Sequence, residues 1–409
     1  MPPRGTAHAG DDRHVRGALG LPPVGPVVAV VGGGQLARMM AEPAAALQIR
    51  LRALVEAADG AAAQVLPDSP VGSPRDLGTL RALVEGADVL TFEHEHVPGD
   101  HLRALAAAGV SVQPGADALA CAQDKLHMRA RLGELGVPCP RWARVSTTAE
   151  LAAFADEVGR PVVVKTPTGG YDGKGVRVVH DPAEVADWLA DGPLLAEEKV
   201  PFERELAALV ARRPSGEMRS WPVVETIQRD GVCAEVLAPA PGLDPRLAQQ
   251  AEEVARTVAE GLGVTGVLAV EMFATAEGVS VNELAMRPHN SGHVTIDGHV
   301  TSQFEQHLRA VLDLPLGDTS PTAPYAVMVN LLGSAHADPS TAYPELMARF
   351  PEAKVHLYGK AVRPGRKLGH VTVTGADLDT CRERARAAVA VLRGDPETAP
   401  APDAPDPLA

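Results

Sequence analysis

The apolar residues of this chain fall into short runs whose spacing alternates between that of strands and that of helices. A fully apolar run at 27–31, VVAVV, leads into Gly32-Gly33-Gly34, and a helical pattern follows from Gln35 to Ala46. Strand patterns recur at 49–55 and 87–93, with a helical pattern at 76–85 between them. Strands that alternate with helices predict a parallel, doubly wound sheet. Ligands of such a sheet bind where its strands end, here near 32–35 and 93–96. The first turn, GGGQL, does not give GxGxxG, and no clear ribose-binding acid strand follows, so a dinucleotide site is the weaker reading.

The pattern then changes. A helical stretch over 117–136 ends at Gly136 before Pro138 and links the first unit to a second that begins near Pro140. Strands at 161–165, 175–179 and 194–199, with a helix near 182–190, predict a small α/β lid. The largest unit runs from about Arg204 to Leu314, with a helix at 245–262 and two apolar strands around Ala276-Glu277-Gly278, which reads as a short hairpin turn. A loop rich in Pro and Ser (315–324) leads to a strand at 326–332, and the last segment carries an amphipathic helix over 377–392. The expected division is an N-terminal Rossmann-like domain at 26–120, linker helix and lid at 121–203, a large subdomain at 204–330 and a C-terminal α+β segment at 331–395. Residues 1–25 and the Pro-, Ala- and Asp-rich stretch 396–409 are expected to be disordered.

Composition narrows the function. At 409 residues the chain suits two or three domains. Aromatic residues make up only 3%, so the core must be aliphatic. A formal charge of −14 argues against a general nucleic-acid binder, which needs a basic surface. The cysteines at 121, 139, 233 and 381 form no CxxC pair, which points to a reducing cytoplasm rather than to disulfides or zinc. No run approaches the roughly 20 apolar residues of a membrane span, and residues 1–20 lack the apolar core of a signal peptide.

Two stretches carry chemistry. In VVVKTPTGGYDGKG (162–175) an apolar strand delivers Lys165 into a loop with glycines at 169, 170, 173 and 175. A buried ammonium needs an anionic partner, and a glycine-rich loop lets backbone N–H groups close over a polyphosphate. The same residues also suit a plain hairpin with a snorkelling lysine. The second stretch is GVLAVEMFATAEGVSVNELAMRPHNSGH (266–293). Glu271 and Glu283 stand symmetrically about Glu277, so a regular hairpin sets them face to face, Cβ atoms roughly 5 Å apart. Opposed carboxylates repel unless a divalent cation lies between them, and Mg(II) is commonly held by one or two carboxylates plus phosphates. Alternation also brings Arg287 to the face of Glu283.

The motifs and their order resemble the ATP-grasp superfamily, and within it the 5-(carboxyamino)imidazole ribonucleotide synthetases. The resemblance runs from about Val27 to Val373 and rests on GGGQLARMM (32–40), TFEHEHVP (91–98), QDKL (123–126), TGGYDGKG (168–175), NELAMRPHNSGH (282–293) and VRPGRKLGH (362–370). It implies an ATP-grasp fold and a purine-biosynthesis ligase that carboxylates aminoimidazole ribonucleotide with ATP and bicarbonate. It further implies Mg(II) or Mn(II) held by Glu271 and Glu283, a homodimer, and a separate mutase that rearranges the product.

For ATP the resemblance implies Lys125 and Lys165 on the phosphates, covered by the loop Gly170, Tyr171, Asp172, Gly173, Lys174 and Gly175. It places adenine contacts on Glu197, Glu198, Lys199 and Val200, a ribose contact on Glu205, and further contacts on Gln228, Asn282 and Glu283. Gln228 stands where relatives often have His. Arg287, His289 and Asn290 are implied for bicarbonate, with His289 orienting the oxyanion or handling a proton near neutral pH. Asp172 is the best candidate to meet the substrate amine. The basic run Lys360, Arg363, Arg366 and Lys367 is implied for the ribonucleotide phosphate, with Gln35, Leu36, Glu93, Glu95 and Tyr171 as further substrate contacts. Ala285 and Met286 depart from the superfamily pattern, but neither removes a charged group. A formate-dependent glycinamide ribonucleotide transformylase is the nearest alternative enzyme. A nucleotide sensor without turnover is the alternative from another class, and the full Glu271, Glu283 and Arg287 set counts against it.

Overall fold

The structure is a computed structural model that describes residues 25–170 and 174–396. Tyr171, Asp172, Gly173 and nearly all of the two expected disordered ends lie outside the described residues.

The first unit is built from β1 (Val27–Val31), α1 (Gln35–Ala46), β2 (Arg50–Leu54), α2 (Leu77–Leu83), β3 (Val89–Phe92) and α3 (Gly99–Ala107). Its three strands are parallel in the order β2-β1-β3. Val28 and Val30 pack on Leu36, Ala37 and Met40 of α1. Ala29 and Val31 face the other way, onto Leu80 and Leu83 of α2 and Leu102 and Leu105 of α3. Both faces are therefore covered, as a doubly wound sheet requires.

The single helix expected over 117–136 is two helices, α4 (Ala116–Gln123) and α5 (Lys125–Glu134). Asp124 between them is extended, and its carboxylate accepts hydrogen bonds from the N–H groups of Leu126 and His127. An aspartate gains more as an N-cap than inside a helix, so the chain restarts there. Lys125 thereby becomes the first residue of α5.

The lid comprises β4 (Trp142–Val145), α6 (Thr148–Val158), β5 (Val162–Lys165), β6 (Val176–Val179), α7 (Ala186–Asp191) and β7 (Leu194–Glu198), paired antiparallel in the order β4-β7-β5-β6. The hydrophobic pattern did not reveal β4 and α6. A start signal for α6 is nonetheless present in Thr147-Thr148-Ala149-Glu150: the Thr147 hydroxyl accepts from Glu150 N–H, and the Glu150 carboxylate accepts from Ser146 N–H.

The remaining elements are β8 (Arg204–Arg212), β9 (Met218–Ser220), β10 (Val224–Arg229), β11 (Val232–Ala238), α8 (Pro245–Gly261), β12 (Gly266–Thr275), β13 (Gly278–Ala285), α9 (Thr295–Gly298), α10 (Gln303–Val311), β14 (Tyr325–Leu332), α11 (Tyr343–Arg349), β15 (Lys354–Leu357), β16 (Lys367–Gly375) and α12 (Leu378–Arg393). They share one sheet, β13-β12-β8-β10-β11-β14-β16-β15, with β9 beside β8. The C-terminal segment is thus no separate sheet. β14 pairs with β11 on one side and β16 on the other, so a boundary at 330/331 would cut a central strand. The boundary at 120/121 likewise falls inside α4.

One face of this sheet packs Leu206, Ala208, Val210, Leu268 and Val270 on α8. The opposite face, with Ala207, Leu209, Val267 and Ala269, packs against Val294 and Ala310. Phe304, Leu308 and Val311 of α10 meanwhile join the core between β1 and α1. Helix α10 is therefore the wedge between the first unit and the large sheet. His307 of α10 touches both: its Nδ1 accepts from Val267 N–H at 3.1 Å, so Nε2–H is left to donate to Thr91 Oγ1 at 2.9 Å.

Burial lowers the pKa of the imidazoles of His94, His289, His293, His299, His307 and His370. It pushes His289 and His307 down to about 3 and His299 to about 4, and lowers His293 and His370 well below the ordinary value. On unfolding they regain a value near 6.5 and bind protons the native state refuses. The carboxyls that burial pushes up, Glu205, Glu252 and Glu271, act in the opposite sense but are fewer. Stability should therefore fall as pH drops below about 6.5. Urea midpoints measured from pH 7.5 to 5 should decline; a flat profile would mean that these imidazoles titrate freely in the fold.

Candidate active site

The residues expected on the ATP phosphates are brought together by α5, the lid and the hairpin of β12 and β13. The glycine loop is closed at its base by Thr166 N–H on the Gly175 carbonyl (2.9 Å) and tied to α5 by Lys125 N–H on the Pro167 carbonyl (2.9 Å). The Lys125 ammonium lies against Gly170 and 3.8 Å from a Glu283 oxygen. Lys165 does meet an anion, but a protein one: its ammonium is 2.7 Å from Glu197 Oε2 and 3.0 Å from Asn282 Oδ1. Arg129, fully buried, grips the other Glu197 oxygen at 2.5 Å and donates to the Asn282 carbonyl at 2.8 Å.

Burial opposes ionisation of Glu197, and the two cations outweigh it, holding the carboxyl below its ordinary range. The Glu197 side chain, expected at adenine, is thus committed between Arg129 and Lys165. Sequence reasoning missed Arg129, although it stands four residues after Lys125 and so on the same helix face. Glu198 accepts from the backbone N–H and the guanidinium of Arg141, both at 2.8 Å. Lys199 is exposed and Val200 half-buried. Val163, Val176 and Val178 share the face of Lys165 through the β5–β6 register. Val176 and Val178 remain exposed there, an apolar wall that sequence reasoning also missed.

The hairpin pairs Glu271 with Glu283 as expected, by a different route. Its turn is the two residues Ala276-Glu277, with Thr275 opposite Gly278, and a register shift near Asn282 restores the glutamate pair. Glu205 pairs with Phe273, two residues along β12, which puts a third carboxylate on the same face. It has no cationic partner among the described residues. Burial, then Glu283, then Glu205 push Glu271 up to about 8. Burial raises Glu205 as well. Glu283 and Glu205 both disfavour charge on Glu271, an effect that a hard divalent cation held by the Glu271–Glu283 pair would reverse. Gln228 sits half-buried at a register shift of β10.

The segment after β13 turns toward the first unit. Arg287 Nε lies 3.1 Å from Glu95 Oε2. Burial works against the Glu95 carboxylate, and Arg287 more than offsets it. Gln123 braces the Glu95 turn by donating to the carbonyls of Glu95 and Val97, both at 2.7 Å. The three polar residues of QDKL thus have separate tasks: Gln123 braces, Asp124 caps, and Lys125 faces the loop. His289 Nδ1 accepts from Ser291 N–H and lies 2.9 Å from Ser291 Oγ, which leaves Nε2–H directed at Glu271 Oε1, 3.3 Å away. Burial and the nearby Arg287 and Lys367 push His289 down to about 3, so it is a neutral donor here and not a proton carrier near pH 7. Asn290 exchanges hydrogen bonds with Asn330 at 2.7 and 3.1 Å.

The basic run expected at the ribonucleotide phosphate diverges. Lys360 reaches Gln35 Oε1 at 2.5 Å, and the neighbouring Gly359 carbonyl accepts from Gln64 at 2.8 Å. Arg366 N–H returns to the Arg363 carbonyl, with Gly365 at φ +69°, and its guanidinium donates to the Ala361 carbonyl at 3.0 Å. Lys367, by contrast, acts on Glu271 and His289. Two first-unit expectations change. The Leu36 side chain is buried in the core under β1, which leaves only its backbone for a substrate. Glu93 spends its carboxylate on the N–H groups of Gly34 and Ala37, capping α1 where Gly34 has no side chain to do so.

A doubly wound first unit, an antiparallel lid with its glycine loop, and a carboxylate-bearing hairpin define an ATP-grasp enzyme. Family models agree: a ribonucleotide synthetase preATP-grasp domain over 26–123, an ATP-grasp domain over 130–304, and a phosphoribosylaminoimidazole carboxylase C-terminal domain over 326–384. The N5-carboxyaminoimidazole ribonucleotide synthase of Mycobacterium bovis is 55% identical across 89% of this chain and 87% of its own. That of Corynebacterium ammoniagenes is 51% identical across 90% and 92%. Among solved structures, the ADP complex of such a synthetase superposes with a TM-score of 0.83 at 34% identity, covering 91% of this chain and 98% of the other. The Aspergillus clavatus enzyme in complex with ADP and 5-aminoimidazole ribonucleotide gives 0.82 at 34%, covering 90% and 99%. The chain belongs to the N5-carboxyaminoimidazole ribonucleotide synthase family.

The strain on Glu271 makes a stability prediction for the protein without nucleotide or metal. Its folded value near 8 exceeds the unfolded value near 4.5, so ionisation disfavours the fold and stability is lost as pH rises between the two. Glu271→Gln removes that loss. The melting-temperature difference, variant minus parent, should grow from pH 5 to pH 8 and then level off. A constant difference would mean that Glu271 is already ionised at pH 5.

Proposed function

We propose that this protein uses ATP to join bicarbonate to the exocyclic amine of 5-aminoimidazole ribonucleotide, giving N5-carboxyaminoimidazole ribonucleotide, ADP and phosphate. The observation that carries the reading is one sheet face that gathers Glu205, Glu271 and Glu283 beside Arg287 and His289, with Lys125 and Lys165 arriving from α5 and the lid. A bicarbonate oxygen attacks the γ-phosphorus and ADP leaves; the resulting carboxyphosphate sheds phosphate as carbon dioxide forms; the amine nitrogen attacks that carbon and loses a proton. No covalent nucleophile is needed, only positioning, charge stabilisation and exclusion of water.

Lys125 and Lys165 bind the phosphates under the glycine loop. Lys165 shares Glu197 with Arg129, so two buried cations face one anion and the excess positive charge suits a polyphosphate. Glu271 and Glu283 would hold Mg(II) or Mn(II), with Glu205 near enough to bias them; the metal would neutralise charge on the β- and γ-phosphates. Arg287, fixed by Glu95, offers its remaining N–H groups to bicarbonate. His289 presents a neutral Nε2–H, which orients an oxyanion without donating its proton, and Asn290 lies one residue on. Asp172 remains the proposed partner of the amine, and Tyr171 and Gly173 belong to the same lid loop. Gln35 and Lys360 meet across the first and last segments, and Arg363 and Arg366 of the same loop are the proposed further contacts of the ribonucleotide phosphate. The protein works in the cytoplasm as a homodimer and passes its product to a separate mutase.

ADP release with Mg(II) and bicarbonate should rise sharply on adding aminoimidazole ribonucleotide. Stimulation by glycinamide ribonucleotide with formate, and not by the imidazole, would assign the chain to the transformylase reaction. Lys360→Met should raise the KM for the ribonucleotide roughly ten- to a hundredfold, the cost of one charge-assisted hydrogen bond to a phosphate. The KM for ATP should move little. Equal weakening of both would place Lys360 in a purely structural contact with Gln35.

A further inference from the structure

We propose that Gln303 is a positioning residue that sets the backbone of His289, and through it the donor that faces the bicarbonate site. Residues 286–289 follow the end of β13 and have no ladder partner, yet the His289 side chain is only 19% exposed. Gln303, fully buried at the start of α10, takes the place of a neighbouring strand. Its Oε1 accepts from His289 N–H at 2.9 Å and its Nε2 donates to the His289 carbonyl at 2.8 Å. Both backbone groups of one residue thus meet one amide, and the carbonyl also accepts from Gly292 N–H at 2.9 Å.

The amide is itself held from several sides. Gln303 Nε2 lies 2.9 Å from His293 Nδ1, and Gln303 N–H donates to Thr295 Oγ1 at 2.8 Å. That hydroxyl donates to the Gly292 carbonyl at 2.6 Å. A Cβ at position 292 would overlap Gln303 Oε1 and Leu209, so any larger residue there would displace the amide. The rotamer of Gln303 is fixed before His289 is considered. Because α10 also reaches the first unit through His307, this amide refers the His289 ring to the domain that carries Glu95 and Gln35.

The inference rests on the reading of His289 as the donor at the bicarbonate site, and the test separates the two. Gln303→Glu keeps length and one acceptor but sets an oxygen against the His289 carbonyl; Gln303→Met removes donor and acceptor at nearly constant length. His289→Ala serves as the control. Each purified enzyme is assayed for melting temperature, KM for bicarbonate and for ATP, and ADP released per carboxylated product. Loss of one buried hydrogen bond predicts a bicarbonate KM up by about tenfold. The ATP KM should stay within about twofold, and the ADP-to-product ratio should climb above one as carboxyphosphate is lost to water. If Gln303→Glu does not fold, Gln303→Met decides alone. If His289→Ala shifts the bicarbonate KM and the ratio while the Gln303 variants do not, Gln303 is structural and the inference is wrong. A fall in kcat of the Gln303 variants with both KM values unchanged would equally mark Gln303 as structural. If His289→Ala changes neither quantity, the reading of His289 itself is overturned, and the inference with it.

Discussion

The site depends on a carboxylate shared between two cations. Glu197 sits almost wholly out of water between Arg129 and Lys165, and both cations also hold Asn282, one by its carbonyl and the other by its side chain. A lone charge so buried would be untenable, but the group as a whole is hydrogen-bonded. It links three pieces that the chain makes far apart: α5, the lid sheet, and the hairpin that carries Glu283. Its excess positive charge is stored next to the glycine loop. The lid is therefore referred to the hairpin even before nucleotide arrives.

A second junction sets the first unit against the large sheet. Helix α10 packs Phe304 and Leu308 under β1, and its His307 bonds Thr91 and Val267 at once. Glu95 on Arg287 and Lys360 on Gln35 are ion-pair and hydrogen-bond contacts at the rim of the same interface. The apolar helix supplies adhesion, and the polar contacts fix the angle at which the first unit meets the large sheet. The continuity of β14 with β11 and β16 extends this rigidity into the C-terminal segment.

Elements with a pure period were legible in the sequence: VVAVV as a buried strand, the 245–262 helix, the strands on either side of Glu277. Local chemistry that interrupts a period was harder to read. Asp124 split one helix into two, and WARV was too short and too polar for β4 to stand out. In the site, the need of Lys165 for an anion was correctly inferred, but its partner lay 32 residues on, in a strand whose pairing no local pattern reveals. Leu36 and Glu93 show the limit of motif reading. Both lie in motif stretches, yet one is core and the other a cap, and only the packing tells them apart from a residue such as Gln35.

The register shift at Asn282 has a bearing on how this hairpin can vary. Val279 and Val281 point into the α8 core, and strict alternation would send position 283 there too; instead Leu284 takes the inward place and Glu283 the outward one. The shift is a phase boundary. On its far side, the tip around Ala276-Glu277 can lengthen or shorten by opposed pairs of residues without turning Glu283 inward. At the shift itself no such freedom exists: pairing Asn282 regularly would turn Glu283 into the aliphatic core, and losing residue 282 would keep Glu283 outward but strip Arg129 and Lys165 of the asparagine they hold. Length variation among related chains should therefore gather at the tip and stop at this asparagine.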